Sequence, residues 1–123
     1  MINSLVKPLR VLIFAAALSA CAGPQIFHRQ LSTLDKGLPR GQVVARLQLS
    51  PMSTRQAIVG RRIFEFDEYR MNDGMQTEQY FLAYEQNRLV FWGYVAEFRR
   101  QPDGDLSQAM SAVLRSAAND SKH

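Results

Sequence analysis

Residues 63–71 read Ile63-Phe64-Glu65-Phe66-Asp67-Glu68-Tyr69-Arg70-Met71, and this run decides the fold. Aromatic and β-branched side chains suit a pleated, half-buried strand, and Phe64 and Phe66 alternate with Glu65 at the strand period of two. After Phe66 the alternation slips, because Asp67 and Glu68 are adjacent acids. One extra residue in a β-bulge would restore it. Asn72-Asp73-Gly74 then supplies a turn.

Working toward the C-terminus, Glu78 to Glu85 predicts a second strand, with Tyr80, Leu82 and Tyr84 on one face and Phe81 and Ala83 on the other. Gln86-Asn87 fits a two-residue hairpin, since asparagine tolerates the positive φ that such turns require. A third strand is expected from Arg88 to Arg99. It sets Leu89, Phe91, Gly93 and Val95 against Val90, Trp92, Tyr94, Ala96 and Phe98, with one slip needed because Glu97 falls in the first set. Both faces are apolar enough to need cover. Gln101-Pro102-Asp103-Gly104 breaks the sheet, and Asp105 is placed to cap a last helix whose Leu106, Ala109, Met110, Val113, Leu114 and Ala117 share one face.

Working toward the N-terminus, Pro39 to Leu47 predicts a short helix stopped by Ser50-Pro51. Phe27 to Lys36 predicts another, ended by Gly37. A meander of this size needs helices packed on it. The expected fold is therefore α+β: two short N-terminal helices packed on a three-stranded antiparallel meander, with an additional C-terminal helix.

Lys7 and Arg10 precede an apolar run, Val11 to Leu18, which is the order of a secretory signal. That run is too short for the roughly 20 residues of a membrane-spanning helix. It ends at Leu18-Ser19-Ala20-Cys21, which resembles the lipobox of bacterial lipoproteins. The resemblance implies cleavage before Cys21 and attachment of acyl chains, palmitate among them, to that residue. Cys21 is the only cysteine, so an intramolecular disulfide is ruled out even for an exported chain. Two or more acyl chains give stable anchoring. Ala22 stands where an aspartate would imply retention in the inner membrane, so the resemblance implies the periplasmic face of the outer membrane.

The expected organisation is a signal peptide at 1–20, a lipidated tether at 21–26, a single α+β domain at 27–118 and a flexible tail at 119–123. Removing residues 1–20 of the 123 leaves 103, and the loss of Lys7 and Arg10 takes the formal charge from +4 to +2. A chain of that length fills one core. Nucleic acid is not an expected partner of a weakly basic exported domain; anionic head groups and acidic protein surfaces fit better.

Gly37-Leu38-Pro39-Arg40-Gly41-Gln42-Val43, then Leu47 and Pro51, is similar to a motif of the small outer-membrane lipoproteins of the BamE (SmpA/OmlA) type, and Glu85 to Val90 resembles their hairpin. The resemblance spans about residues 27–100 and implies two helices on a three-stranded antiparallel sheet. Gln48 departs from it, standing where the family usually has glycine, and Pro51 comes one position late.

No enzyme activity, cofactor or metal is expected. The two histidines, His28 and His123, have no second ligand at a useful spacing. Glu65, Asp67 and Glu68 read as solvent-facing strand acids. In an up-down-up meander Arg61, Arg62 and Arg88 fall near one end of the sheet, and Arg70, Arg99 and Arg100 near the other. Tyr80, Tyr84, Trp92, Tyr94 and Phe98 fall on one face. If the last helix covers that face only in part, Trp92 and Tyr94 become a partner patch. The residues singled out are Cys21 for lipid attachment and Arg99, Arg100, Trp92 and Tyr94 for contact with a partner or lipid. The leading expectation is a non-enzymatic envelope lipoprotein that binds a protein partner in outer-membrane assembly or integrity. A binder of lipid or cell-wall components, and an inhibitor of a periplasmic enzyme, are the alternatives.

Overall fold

The computed structural model describes residues 24–120. The expected signal peptide, Cys21 and residues 121–123 of the expected tail lie outside that range. In order, the elements are β1 (Ile26–Phe27), α1 (His28–Leu31), α2 (Arg40–Leu47), β2 (Ser53–Val59), β3 (Arg62–Asn72), β4 (Thr77–Glu85), β5 (Arg88–Gly93), α3 (Val95–Arg99) and α4 (Gly104–Asp120). The class is α+β, but the sheet is a curled, mixed half-barrel of five strands rather than a three-stranded meander.

The long central strand is β3. On one side it pairs antiparallel with β4 from Phe64↔Glu85 to Asn72↔Thr77. Its other side is shared, antiparallel β2 taking Arg62 to Glu68 and parallel β1 taking Met71 and Asn72. Both added strands escaped the sequence for physical reasons. β2 is an edge strand in which only Ala57 is buried, so its apolar content is low. A two-residue parallel strand has no local signal at all, yet Ile26, expected in the tether, is 0% exposed.

No bulge interrupts β3 at Asp67. The alternation slips there because the sheet is covered on both faces and the buried parity changes along the strand. Phe64 and Phe66 join Phe81 and Ala83 under Phe98, Leu106, Ala109, Met110 and Val113 of α3 and α4; this is the C-terminal face. Tyr69 and Met71 join Tyr80, Leu82, Tyr84 and Leu89 under Ile26, Leu34, Val43 and Leu47; this is the N-terminal face. The bulge lies instead between β4 and β5, where Ala83 pairs with Phe91 and Tyr84 with Leu89, leaving Val90 as the extra residue. It parts Leu89 from Phe91, which the alternation puts on one face, but it is not the slip expected on account of Glu97, which lies beyond the strand. The hairpin before it has Gln86 and Asn87 both at positive φ, 52° and 63°.

The third strand stops at Gly93, and residues expected to continue it form α3. Glu97 starts this helix by accepting the Tyr94 N–H at 2.9 Å, which satisfies a donor that a helix N-terminus otherwise leaves unpaired. A Cβ at Gly93 would lie 3.0 Å from that carboxylate oxygen, so glycine permits the approach. Phe98 consequently leaves the Tyr94 face and meets Phe66 and Phe91 at ring separations of 5.6 and 4.8 Å.

The helix expected over Phe27 to Lys36 is a single turn. α2 matches expectation, with Pro39 before it and Gln48 closing it in the left-handed region at φ 55°. Between them, Gly37 donates to the Leu89 carbonyl at 2.8 Å and Leu89 donates to that of Leu38 at 2.9 Å, covering the start of the β5 edge. α4 buries the face read from its spacing, but its cap is Asp103, which accepts the Asp105 N–H at 3.1 Å. The helix runs past the expected boundary at 118, where Arg55 bonds Asp120 at 2.6 Å and Ser116 at 3.3 Å.

Candidate binding surfaces

Asp67 is 0% exposed and is the buried charged residue of the described chain, which corrects its reading as a solvent-facing acid. A buried carboxylate needs a partner with matched geometry. Arg40 at the start of α2 provides it, its Nε and Nη2 each donating to a carboxylate oxygen at 2.8 Å. Thr54 of β2 donates to Asp67 at 2.7 Å and accepts from Arg40 at 2.9 Å. Hydrogen bonding to Asp67 raises the Arg40 pKa. One knot thus ties α2, β2 and β3 together. Burial pushes the neighbouring Tyr69 and Tyr84 phenols well above their usual range. Tyr69 donates to the Leu49 carbonyl at 3.0 Å, whereas the buried Tyr84 hydroxyl has no hydrogen-bond partner among the described residues.

The expected aromatic row is split. Tyr80 and Tyr84 are buried in the N-terminal face and Phe98 lies on the opposite one. α4 covers the face opposite Trp92 and Tyr94, so their partial exposure comes from incomplete cover by the N-terminal segment. Both are half-buried. The Tyr94 hydroxyl pairs with His28 Nε2 at 2.8 Å, and its ring meets Tyr80 edge-on at 5.0 Å. Together His28 and Tyr94 stand between two shallow depressions. One, of about 260 Å³, is lined by Glu78, Gln79, Tyr94, Val95 and Ala96. The other, of about 320 Å³, is lined by Phe27, His28, Arg29, Asn72, Asp73 and Gly74. His28 was absent from the predicted patch because nothing local links it to a residue 66 positions away.

Arg99 and Arg100 are exposed, but at the C-terminal end of α3 rather than on a strand end beside Arg70. The chain has turned back there toward Asp103, which bonds Arg62 at the opposite end of the sheet. Arg61, Arg62 and Arg88 do gather at one end, around the β2–β3 and β4–β5 turns. Arg62 is engaged, with two bonds of 2.8 Å to Glu85 and others to Asp103 at 3.0 Å and Asp105 at 3.2 Å. Its guanidinium holds Glu85 and Asp103 below the usual carboxylate range. Arg88 donates to the Gly37 carbonyl.

At that same end lies a surface the sequence reading missed. Ile58 and Ile63 are directly opposed in the β2–β3 hairpin, on the N-terminal face, and are 66% and 49% exposed. Beside them is a depression of about 320 Å³ whose lining includes Gln56, Arg61, Ile63, Glu65 and Glu85. Among the described residues β2 pairs only with β3, so its outer ladder is open to a further strand. The available signal was the matched spacing of Ile58 and Ile63 about Gly60-Arg61, a glycine-first two-residue turn with Gly60 at φ 61°.

Among the described residues, no three His, Cys, Asp or Glu side chains converge as metal ligands do, and no helix is long and apolar enough to cross a membrane. Comparison with protein-family models, curated proteins and solved structures gives no match.

Proposed function

We propose that this chain is a lipid-anchored binding protein of the cell envelope, cut before Cys21, acylated there and held at the periplasmic face of the outer membrane. Its work in this reading is non-catalytic contact with an envelope protein, as an accessory factor in outer-membrane assembly or integrity. The observation that carries the reading is Leu18-Ser19-Ala20-Cys21 at the close of a basic and then apolar leader, five residues ahead of the buried Ile26 that opens the sheet. The resemblance of residues 37–51 to the BamE type fits the same picture.

The surface favoured for the protein partner is the Ile58–Ile63 pair with the β2 edge. Fully burying an isoleucine contributes about 1.5–3 kcal/mol, and the fold leaves most of that contribution unused at Ile58. A strand or loop from a partner would cover both side chains and pair with the open ladder. Photo-crosslinking groups at Ile58, Ile63, Arg99 and Arg100 of the membrane-anchored chain separate the readings. A discrete protein adduct from positions 58 and 63, lost when the neighbouring isoleucine becomes glutamate, is the expected outcome. Adducts to lipid or glycan confined to positions 99 and 100 would favour a lipid or cell-wall binder instead.

A further inference from the structure

Among the described residues five large apolar side chains are exposed, and they fall into two groups. Ile58 and Ile63 occupy the hairpin end. Phe27 at 40%, Met52 at 47% and Met75 at 96% occupy the other end, where β3 finishes. Phe27 pairs there with Asn72, the Met52 N–H donates to the Glu68 carbonyl, and Met75 sits in the turn between β3 and β4. We infer that this second end is a lipid-facing surface, in which Phe27 and Met75 enter the head-group layer of the leaflet that holds the anchor.

The inference rests on the lipid-anchor reading of Cys21 and adds the orientation of the domain. Chain reach sets its scale. Ile26 is five residue steps from Cys21, and a fully extended chain spans at most about 3.6 Å per step, about 18 Å in all. The head-group layer is itself roughly 5–8 Å deep on each side of the bilayer. An acylated Cys21 therefore keeps the β1 end of the sheet within reach of the lipid surface, while the Ile58–Ile63 end lies along β2 and β3 in the opposite direction.

The turn that carries Met75 is held by side chains. Asp73 Oδ1 accepts the N–H groups of Met75 and Gln76, both at 2.9 Å, and Asn72 accepts that of Gly74 at 2.8 Å. Asn72 also donates to Gln25 at 2.8 Å, which joins the turn to the residues leading toward Cys21. These bonds present Met75 outward on a shaped support. A flexible, polarizable methionine suits an irregular apolar medium such as the acyl boundary. Arg29 stacks over the Phe27 ring at 5.4 Å, which places a phosphate-seeking cation beside an apolar wedge, and Tyr94 and Trp92 have the amphipathic rings found at membrane interfaces. Asp73 is committed to the turn, so the acid nearest Met75 bonds backbone and need not face lipid phosphate.

The test uses the full acylated chain reconstituted into phosphatidylethanolamine–phosphatidylglycerol vesicles. With Cys21 blocked by lipidation, Met75→Cys or Ile58→Cys supplies the one free thiol for an environment-sensitive fluorophore. Label at position 75 is expected to shift to the blue and to be quenched several-fold more strongly than label at 58 by a lipid-borne quencher, as for a group within about 10 Å of the acyl boundary. Equal, water-like signals at both positions on chain that floats with the vesicles would overturn the inference and leave the anchor standing. Labelling of the unsubstituted chain, or failure to float, would instead remove the anchor reading. Phe27→Glu is expected to weaken quenching at position 75 without releasing the chain from the vesicle, since the acyl chains hold it.

Discussion

The two faces of the sheet are built by different means. The C-terminal face is apolar and aromatic: Phe66 meets Phe64, Phe81 and Phe98 at ring separations of 6.5, 6.4 and 5.6 Å, and α4 closes over them. The N-terminal face has tyrosines, a buried aspartate and a partial cover tied down by hydrogen bonds at Arg40, Thr54 and Leu49. The first face derives its stability from apolar area, which is non-directional. The second uses directional bonds, which fix where α2 and the N-terminal segment lie. That division suits the proposed arrangement, in which the N-terminal side leads to an anchor and holds a defined orientation while the C-terminal side supplies bulk stability.

The largest effect is expected on the C-terminal face at Phe66, which is 1% exposed. Phe66→Ala is expected to cost about 3–5 kcal/mol by denaturant unfolding; a cost near zero would mean that α4 does not close the face. Arg40→Ala should cost about 3 kcal/mol, because it leaves the Asp67 carboxylate buried without its cation. Replacing the pair together, Arg40→Met with Asp67→Leu, should recover most of that loss while loosening α2, which hydrogen exchange of its amides would report. If the double variant is no better than the single one, the knot is not an ion pair of the expected kind.

Two tyrosines sharpen the contrast on a smaller scale. Tyr69→Phe should cost about 1 kcal/mol through its lost bond to Leu49. Tyr84→Phe, which removes a hydroxyl with no partner, should lie within about 0.5 kcal/mol of the parent or above it. Thermal melts of the two variants give the comparison directly. The smallest effect concerns pH. Arg62 lowers the folded-state pKa of Glu85 and Asp103, so the stabilisation is complete above their ordinary values of 4.5 and 3.8. It is lost as pH falls through the lower folded-state values. Arg62→Gln should flatten that acid limb of the stability curve while leaving the slope above pH 6 unchanged.

The C-terminal face was readable because its signals are local. Phe64 and Phe66 alternate, and Leu106, Ala109, Met110 and Val113 recur at helical spacing, so period alone assigns both elements and their buried sides. The N-terminal face was readable only in part. Tyr80, Tyr84 and Tyr94 fall on a shared face by alternation, but the acid at position 67 reads as exposed because Arg40 stands 27 positions away and pairing at that distance leaves no local trace. The same blindness hid β2, whose polar residues need only one buried alanine, and β1, whose pairing is wholly tertiary. α3 was missed because Val90, Trp92, Tyr94, Ala96 and Phe98 alternate past the end of the strand. Glu97, the residue that did not fit the alternation, was the cap that ends it. Of the residues expected to make contacts, Trp92 and Tyr94 proved half-exposed as aromatics at a rim can be, whereas Arg99 and Arg100 were displaced by that helix. The exposed Ile58–Ile63 pair was overlooked because β2 was.

All of the functional reading depends on Cys21, and the intact mass of the chain isolated from membranes tests it most directly. The expected result is a chain that begins at Cys21 and carries the added mass of two or more acyl chains on that residue. A chain retaining residues 1–20, or one cut there but bearing no acyl group, would contradict it.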